Sequence, residues 1–237
     1  MTFSNAVWAD KKAGLAERLA RGECGGAYGE AALIACAAIS AVAASAWPGE
    51  NIDRVRFVEL LVSQISEAKR ISIPLLIAHL VKRRRHVIAR RLHRKFMPLT
   101  GSQVVTSADV DSDVAAIRAV CPRLRIGDVR QFSYANLLYE RLRSPMSHEY
   151  RTGAHTVPHK MTDLVDVPVS YFNWIFEPGT VEKPPSRKGL PIRHIHFHVE
   201  WLASITRQVG KAADATKHPL PQPARWWIHR RRKKSKT

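Results

Sequence analysis

The sequence predicts an all-α bundle, interrupted by a small β-hairpin insertion and followed by a basic C-terminal tail. Three observations point there. Apolar residues recur at helical spacing through most of the first 143 positions. The run Ala31–Trp47 holds nine alanines in 17 residues; alanine has the highest helix propensity and lets helices approach closely, so this run predicts a buried central helix. The β-branched and aromatic composition of Val167–Phe176, echoed at Arg193–Phe197, predicts the hairpin.

The elements follow in order. Val7, Trp8, Leu15 and Leu19 mark a first helix over Asn5–Ala20, broken by the glycines of Gly22–Gly26. The Ala-rich helix runs from about Tyr28 to Trp47 and stops at Pro48-Gly49. Asp53 is placed to cap a third helix through Phe57, Leu60, Leu61 and Ile65. One long helix is predicted over Ile73–Phe96, apolar at Ile73, Leu76, Ile77, Leu80, Val87, Ile88 and Leu92. Met97–Thr106 reads as a polar connection, Ser107–Val120 as a capped helix, and Gly127–Arg143 as another with Phe132, Ala135, Leu138 and Leu142 on one face. Prolines at 158, 168, 178, 184, 185 and 191 then change the character of the chain. A last helix is expected over about His198–Ala215, and Pro219, Pro221 and Pro223 open a tail that cannot stay helical. The expected organisation is one domain over 1–218, with the β-containing insertion at about 151–197, and a basic extension at 219–237 that is expected to be disordered.

Charge narrows the partner class. The 237 residues carry 38 Lys+Arg against 20 Asp+Glu, a net charge of +18, which favours a polyanionic partner. Residues 82–95 (KRRRHVIARRLHRK) contain eight Lys/Arg and no acid; 224–237 contain seven and no acid. Without the latter the chain is still +11, so the tail is not the sole source. Lys82, Arg83, Arg84, Arg85, Arg90, Arg91, Arg94 and Lys95 are therefore expected to track phosphates, joined by Arg230, Arg231 and Arg232 of the tail. Trp226-Trp227 beside those cations is suited to base stacking or to a membrane interface, and equally to a solvated tail.

Cys24, Cys36 and Cys121 are odd in number and form no CxxC pair, which argues against a disulfide framework or a Cys-built zinc site. The N-terminal MTFSNAVWADKK shows no apolar stretch of signal-peptide length, and the Ala-rich run is short and weakly hydrophobic for a bilayer span. A cytoplasmic protein without stable membrane insertion is expected. His194, His196 and His198 alternate as if on one strand face, and His155, His159 and Asp163 have helical spacing in a stretch broken by Gly153 and Pro158. Neither set completes a convincing ligand sphere, so no metal and no cofactor are expected.

The segment Tyr139–Tyr150 (YERLRSPMSHEY) carries the chemistry. Arg143 and His148 stand as R-x4-H, with Tyr150 two residues on. An arginine fork suits phosphate, and a histidine titrates near neutral pH. On an unbroken α-helix five residues turn the side chains about 140° apart; Ser144 as N-cap and Pro145 at the first helical position are expected to restart the helix and kink the pair together.

This segment resembles the signature of HEPN domains, many of which are metal-independent ribonucleases. The resemblance extends to an Ala-rich helix ending in WPGE, an RFVELL helix and a late R-x4-H helix, over roughly residues 26–150. Ser144 departs from the larger polar residue often found after the arginine. The resemblance implies a HEPN-like bundle and RNA cleavage in which the 2′-OH attacks the neighbouring phosphate, leaving 2′,3′-cyclic phosphate and 5′-OH ends. It implies His148 as general acid or base, Arg143 as charge stabiliser, a homodimer with facing motif helices, and a defence or toxin role. R-x4-H-x-Y is also similar to toxins whose tyrosine is modified by a partner antitoxin, which marks Tyr150 as an auxiliary or modified residue; an ordinary tyrosine closing the helix is the simpler alternative. From a different class, a non-catalytic nucleic-acid-binding or interaction module on the same bundle would leave Arg143 and His148 dispensable.

Overall fold

Small side chains set how closely the central helices meet. A computed structural model describes residues 4–97, 104–157, 167–173, 193–215 and 220–228. Ser4 caps α1 (Asn5–Ala20) by accepting the Val7 amide at 3.3 Å. α2 (Tyr28–Ala46) and α3 (Asp53–Gln64) follow. α1 and α2 pack on each other and on the last helix, α11 (Val199–Ala215). Their contact faces are alanines: Ala9, Ala13 and Ala16 on α1, and Ala31, Ala32, Ala35, Ala38 and Ala43 on α2, all buried. At the α1–α11 crossing a Cβ on Gly210 would sit 2.5 Å from the Ala9 Cβ and 3.0 Å from the Asn5 carbonyl oxygen, so only glycine fits. Polar groups lock the same pair. Arg207 reaches both carboxylate oxygens of Glu17 at 2.6 and 2.8 Å, and Asp214 accepts the Asn5 and Ala6 amides at 2.9 Å each. A carboxylate facing the first turn of a helix satisfies amides that have no partner inside it, which holds Asp214 down at about 2.

The Ala-rich run is thus a central helix, as predicted. Among the described residues it is the one helix long and apolar enough to cross a membrane by length and composition, with mean hydropathy 1.7, and its core face is covered by α1, α3 and α11. Asp53 lies inside the first turn of α3, behind Ile52, and pairs with Arg56 instead of capping.

The predicted single helix over Ile73–Phe96 is two: α4 (Ile73–Lys82), capped by Ser72, and α5 (His86–Phe96). The break falls on the three arginines between them, where Arg84 turns left-handed at φ 57°. Six residues from Lys82 to Val87 are exposed in a row; Arg83, Arg84 and Arg85 have no apolar side chain to bury, so nothing holds that turn in a continuing helix.

The predicted helix Ser107–Val120 is also divided, into α6 (Ser107–Val110) and α7 (Val114–Val120). Asp111 causes the division. It is buried, accepts the Ile73 amide at 2.9 Å through Oδ1, and takes the hydroxyls of both Tyr134 and Tyr171 on Oδ2. Arg70 donates to the Ser107 and Asp111 carbonyls at 3.1 and 2.9 Å. Burial pushes the Asp111 carboxyl up to about 7 against the pull of these donors. Asp113 then caps α7 through the Ala116 amide at 2.7 Å.

β1 (Val104–Thr106), within the stretch read as a polar connection, pairs antiparallel with β2 (Val169–Asn173), which pairs antiparallel with β3 (Arg193–Phe197). The predicted pairing of the two β-rich runs is present, with Tyr171 opposite Ile195. Val157 and His155 extend the sheet by bonding the Ile195 backbone on the other edge of β3. The three histidines do not line an open face: the His196 ring lies 4.7 Å from the Tyr28 ring and meets His198 edge-on at 4.9 Å, His198 is hydrogen-bonded to Ser170 Oγ at 2.8 Å, and His194 meets the His155 ring edge-on at 5.3 Å. Burial and the neighbouring His155 push His194 down to about 4. Among the described residues no three His, Cys, Asp or Glu side chains are grouped to hold a metal; His159 and Asp163 lie outside them.

The expectation of a disordered tail from residue 219 is corrected for its first part. Trp226 and Ile228 are buried. The Trp227 amide donates to Glu59, its indole N–H reaches Ser133 Oγ at 3.1 Å, and the Arg130 guanidinium lies 4.2 Å from its ring centroid. The apolar Trp-Trp-Ile group is an anchor on α3 and on the turn after α8 (Ile126–Arg130). Arg230, Arg231 and Arg232 lie outside the described residues.

Candidate functional site

The R-x4-H segment lies on one continuous helical stretch. α9 (Tyr134–Leu137) runs into a π-helical segment over Leu138–Arg143 and then into α10 (Ser144–Glu149). Ser144 is helical, at φ −69° and ψ −51°, so it does not restart the helix as an N-cap. Pro145 explains the local widening. It has no N–H for the Arg141 carbonyl four residues back, and that carbonyl accepts the Gly153 amide at 2.7 Å instead. The approach needs glycine, because a Cβ at 153 would stand 3.0 Å from the Arg141 Cα. Tyr150 makes the return possible by ending the helix left-handed, at φ 51° and ψ 31°. From there the chain leads to the sheet edge at His155–Val157.

Arg143 is half-buried against α2: its Nε donates to Ser40 Oγ at 3.2 Å, and its guanidinium lies 5.3 Å from the Tyr139 ring centroid. His148 is exposed in the last turn, and Tyr150 is 85% exposed. No hydrogen bond or ring contact joins Arg143 to His148 among the described residues, so the expected kink does not bring the two together. Widening the helix has absorbed the proline without a break.

Polar neighbours surround the arginine's stretch of helix. Arg54 of α3 pairs with Glu140 at 2.9 Å and donates to Asn136 Oδ1 at 3.0 and 2.8 Å, while Asn136 donates to the Gln131 carbonyl at 2.7 Å. Burial raises the Tyr139 hydroxyl, whose ring meets Phe57 edge-on at 5.4 Å. Ser40, Arg54, Asn136 and Glu140 escaped sequence reasoning. Asn136 and Glu140 stand four apart on a predicted helix, a visible pairing signal; Ser40 and Arg54 come from helices far upstream and carry none.

The second candidate surface is the α4–α5 pair. All eight Lys/Arg of 82–95 are exposed, and none has an acidic partner within ion-pair distance among the described residues. The Arg91 guanidinium reaches the Val120 carbonyl at 3.5 Å. Ala89 and Leu92 bury the opposite face of α5. The π segment packs on α2 and α3, whereas α5 packs on α4 and α7. Cys36 and Cys121 are buried thiols raised by burial, and Cys24 is exposed.

No family model, curated protein or solved structure matches the chain.

Proposed function

We propose that the chain is a metal-independent RNA endonuclease of HEPN type that acts as a homodimer. The observation that carries this reading is the pinned Arg143 and the exposed His148 on one continuous helix. A guanidinium fixed by Ser40 and Tyr139 loses little freedom when it meets a phosphate. An exposed imidazole has access to a proton on a ribose. Since the two side chains do not meet within one chain, a second copy facing this helix end would complete the site. His148 takes the 2′-OH proton as that oxygen attacks phosphorus, the bond to the 5′ oxygen breaks, and the imidazolium so formed gives its proton to the leaving oxygen. Arg143 donates to the non-bridging oxygens as their charge rises. The products are a 2′,3′-cyclic phosphate and a 5′-OH. A cytoplasmic defence or toxin role, with a regulating antitoxin acting at Tyr150, belongs to the same proposal.

The test is labelled RNA with EDTA, comparing wild type with His148→Ala. Loss of a general acid or base costs about 10²–10⁴ in rate. Absent cleavage, a requirement for divalent ions, or an unaffected variant would overturn the mechanism. A second reading, a non-catalytic nucleic-acid-binding module, is favoured by the eight exposed and acid-free cations of 82–95. It predicts binding that falls steeply with salt and no cleavage.

A further inference from the structure

Away from Arg143, a seam separates the α4–α5 pair from the segment Cys121–Asp128, and two hollows open along it. The larger, about 520 Å³, is floored by the buried Cys121 and the half-buried Ile88, with the exposed Val87, Pro122, Arg91 and Arg123 around it. The smaller, about 360 Å³, lies at the turn end among Leu80, Leu124, His79, Arg83, Arg85 and Asp128. Both fall in the roughly 300–1,000 Å³ range of sites for small organic groups.

We propose that this seam holds single-stranded RNA, taking unstacked bases into the two hollows while the arginines along it grip the flanking phosphates. Charge complementarity selects the ligand: Arg83, Arg85, Arg91 and Arg123 are exposed and have no ion-pair partner among the described residues. The floor selects the form of that ligand. A bare phosphate has no use for aliphatic walls, whereas a base has apolar faces, and guanidinium planes also stack on bases. Asp128, the acid lining the smaller hollow, repels phosphate and accepts from base N–H donors. Stacked bases of a duplex cannot enter. An anionic membrane fits less well, because α5 projects Arg90, Arg94 and Lys95 to solvent and only Val87 as a large exposed apolar side chain.

The inference takes its choice of RNA from the reading above and is tested on binding alone. Full-length protein carrying His148→Ala is titrated into a short labelled single-stranded RNA, into the same strand with every base removed, and into phosphatidylserine vesicles. The abasic strand, equal in charge, is expected to bind at least about tenfold more weakly, as loss of one stacked base from each hollow implies. Adding Arg91→Ala and Arg123→Ala is expected to lower affinity for the intact strand about tenfold with an unchanged melting temperature, whereas the distant Lys211→Ala is expected to leave it unaltered. Equal binding of intact and abasic strands, unchanged affinity in the double-arginine variant, or vesicle binding that competes with RNA through the same arginines would each overturn the proposal. Base-dependent binding by a wild-type protein that does not cleave would sink the nuclease reading and leave the seam standing. Cleavage by a protein that ignores bases at the seam would do the reverse.

Discussion

Tyr134 and Tyr171 donate their hydroxyls to one oxygen of Asp111, and the Ile73 amide donates to the other, so this carboxyl joins α4, α6, α9 and β2. The donors favour the charged form, yet burial dominates and raises the group to about 7 from its ordinary 3.8. The folded protein therefore holds a proton there that the unfolded chain releases at lower pH. Stability from this group is fully present below about pH 4 and is lost as pH rises through about 7. Asp111→Asn keeps a neutral polar group of the same shape. Urea unfolding of both proteins at pH 5 and pH 8 is expected to show the wild type losing stability relative to the variant, on the order of a few kcal/mol. A constant difference between the two pH values would show that the carboxyl does not titrate there.

The turn between α4 and α5 is the clearest case of an element the periodicity misjudged. Ile73, Leu76, Ile77, Leu80, Ile88 and Leu92 keep helical spacing across it, and the spacing is real on both sides. The break is local: Arg84 adopts a left-handed conformation that a side chain tolerates poorly. Arg84→Gly should relieve this and stabilise the fold by about 1 kcal/mol, raising the melting temperature by roughly 2–4 °C, while removing one cation from the proposed RNA-binding surface. A lower melting temperature would mean that the arginine side chain stabilises the turn. Features that many residues specify together are legible in the sequence, and those that hang on one residue are not. Central helices, the β2–β3 pairing and the last helix followed from composition and period, because many side chains vote together there. The breaks at Asp111 and Arg84 did not, because each depends on one residue whose partner or exposure is set by the fold. In the candidate site, Arg143 and His148 were visible as a spacing. Their lack of contact was not, because it goes with a π segment whose Arg141 carbonyl, left free by Pro145, is taken by Gly153 twelve residues on.

At the scale of the molecule, the +18 charge divides between a folded body and an extension whose first part is itself folded. Trp226 and Ile228 are buried, and Trp227 links Glu59 to Arg130 and Ser133. Burial raises the Glu59 carboxyl, and the Trp227 amide is the donor that offsets part of that cost. Two truncations therefore have different consequences. Ending the chain after Ile228 removes six Lys/Arg and none of the anchoring side chains. It should leave the unfolding midpoint nearly unchanged while weakening the proposed RNA binding and flattening its salt dependence, because fewer counterions are released. Ending it before Leu220 also exposes the surfaces under Trp226, Trp227 and Ile228 and leaves Glu59 without its amide. Loss of a single buried Trp costs about 3–5 kcal/mol, so this second cut should destabilise the whole protein by at least that order. Urea unfolding and RNA titration at two salt concentrations, applied to both truncations, separate the roles. If the shorter deletion unfolds the protein, or leaves the salt dependence unchanged, the boundary between anchor and electrostatic arm does not lie at Ile228.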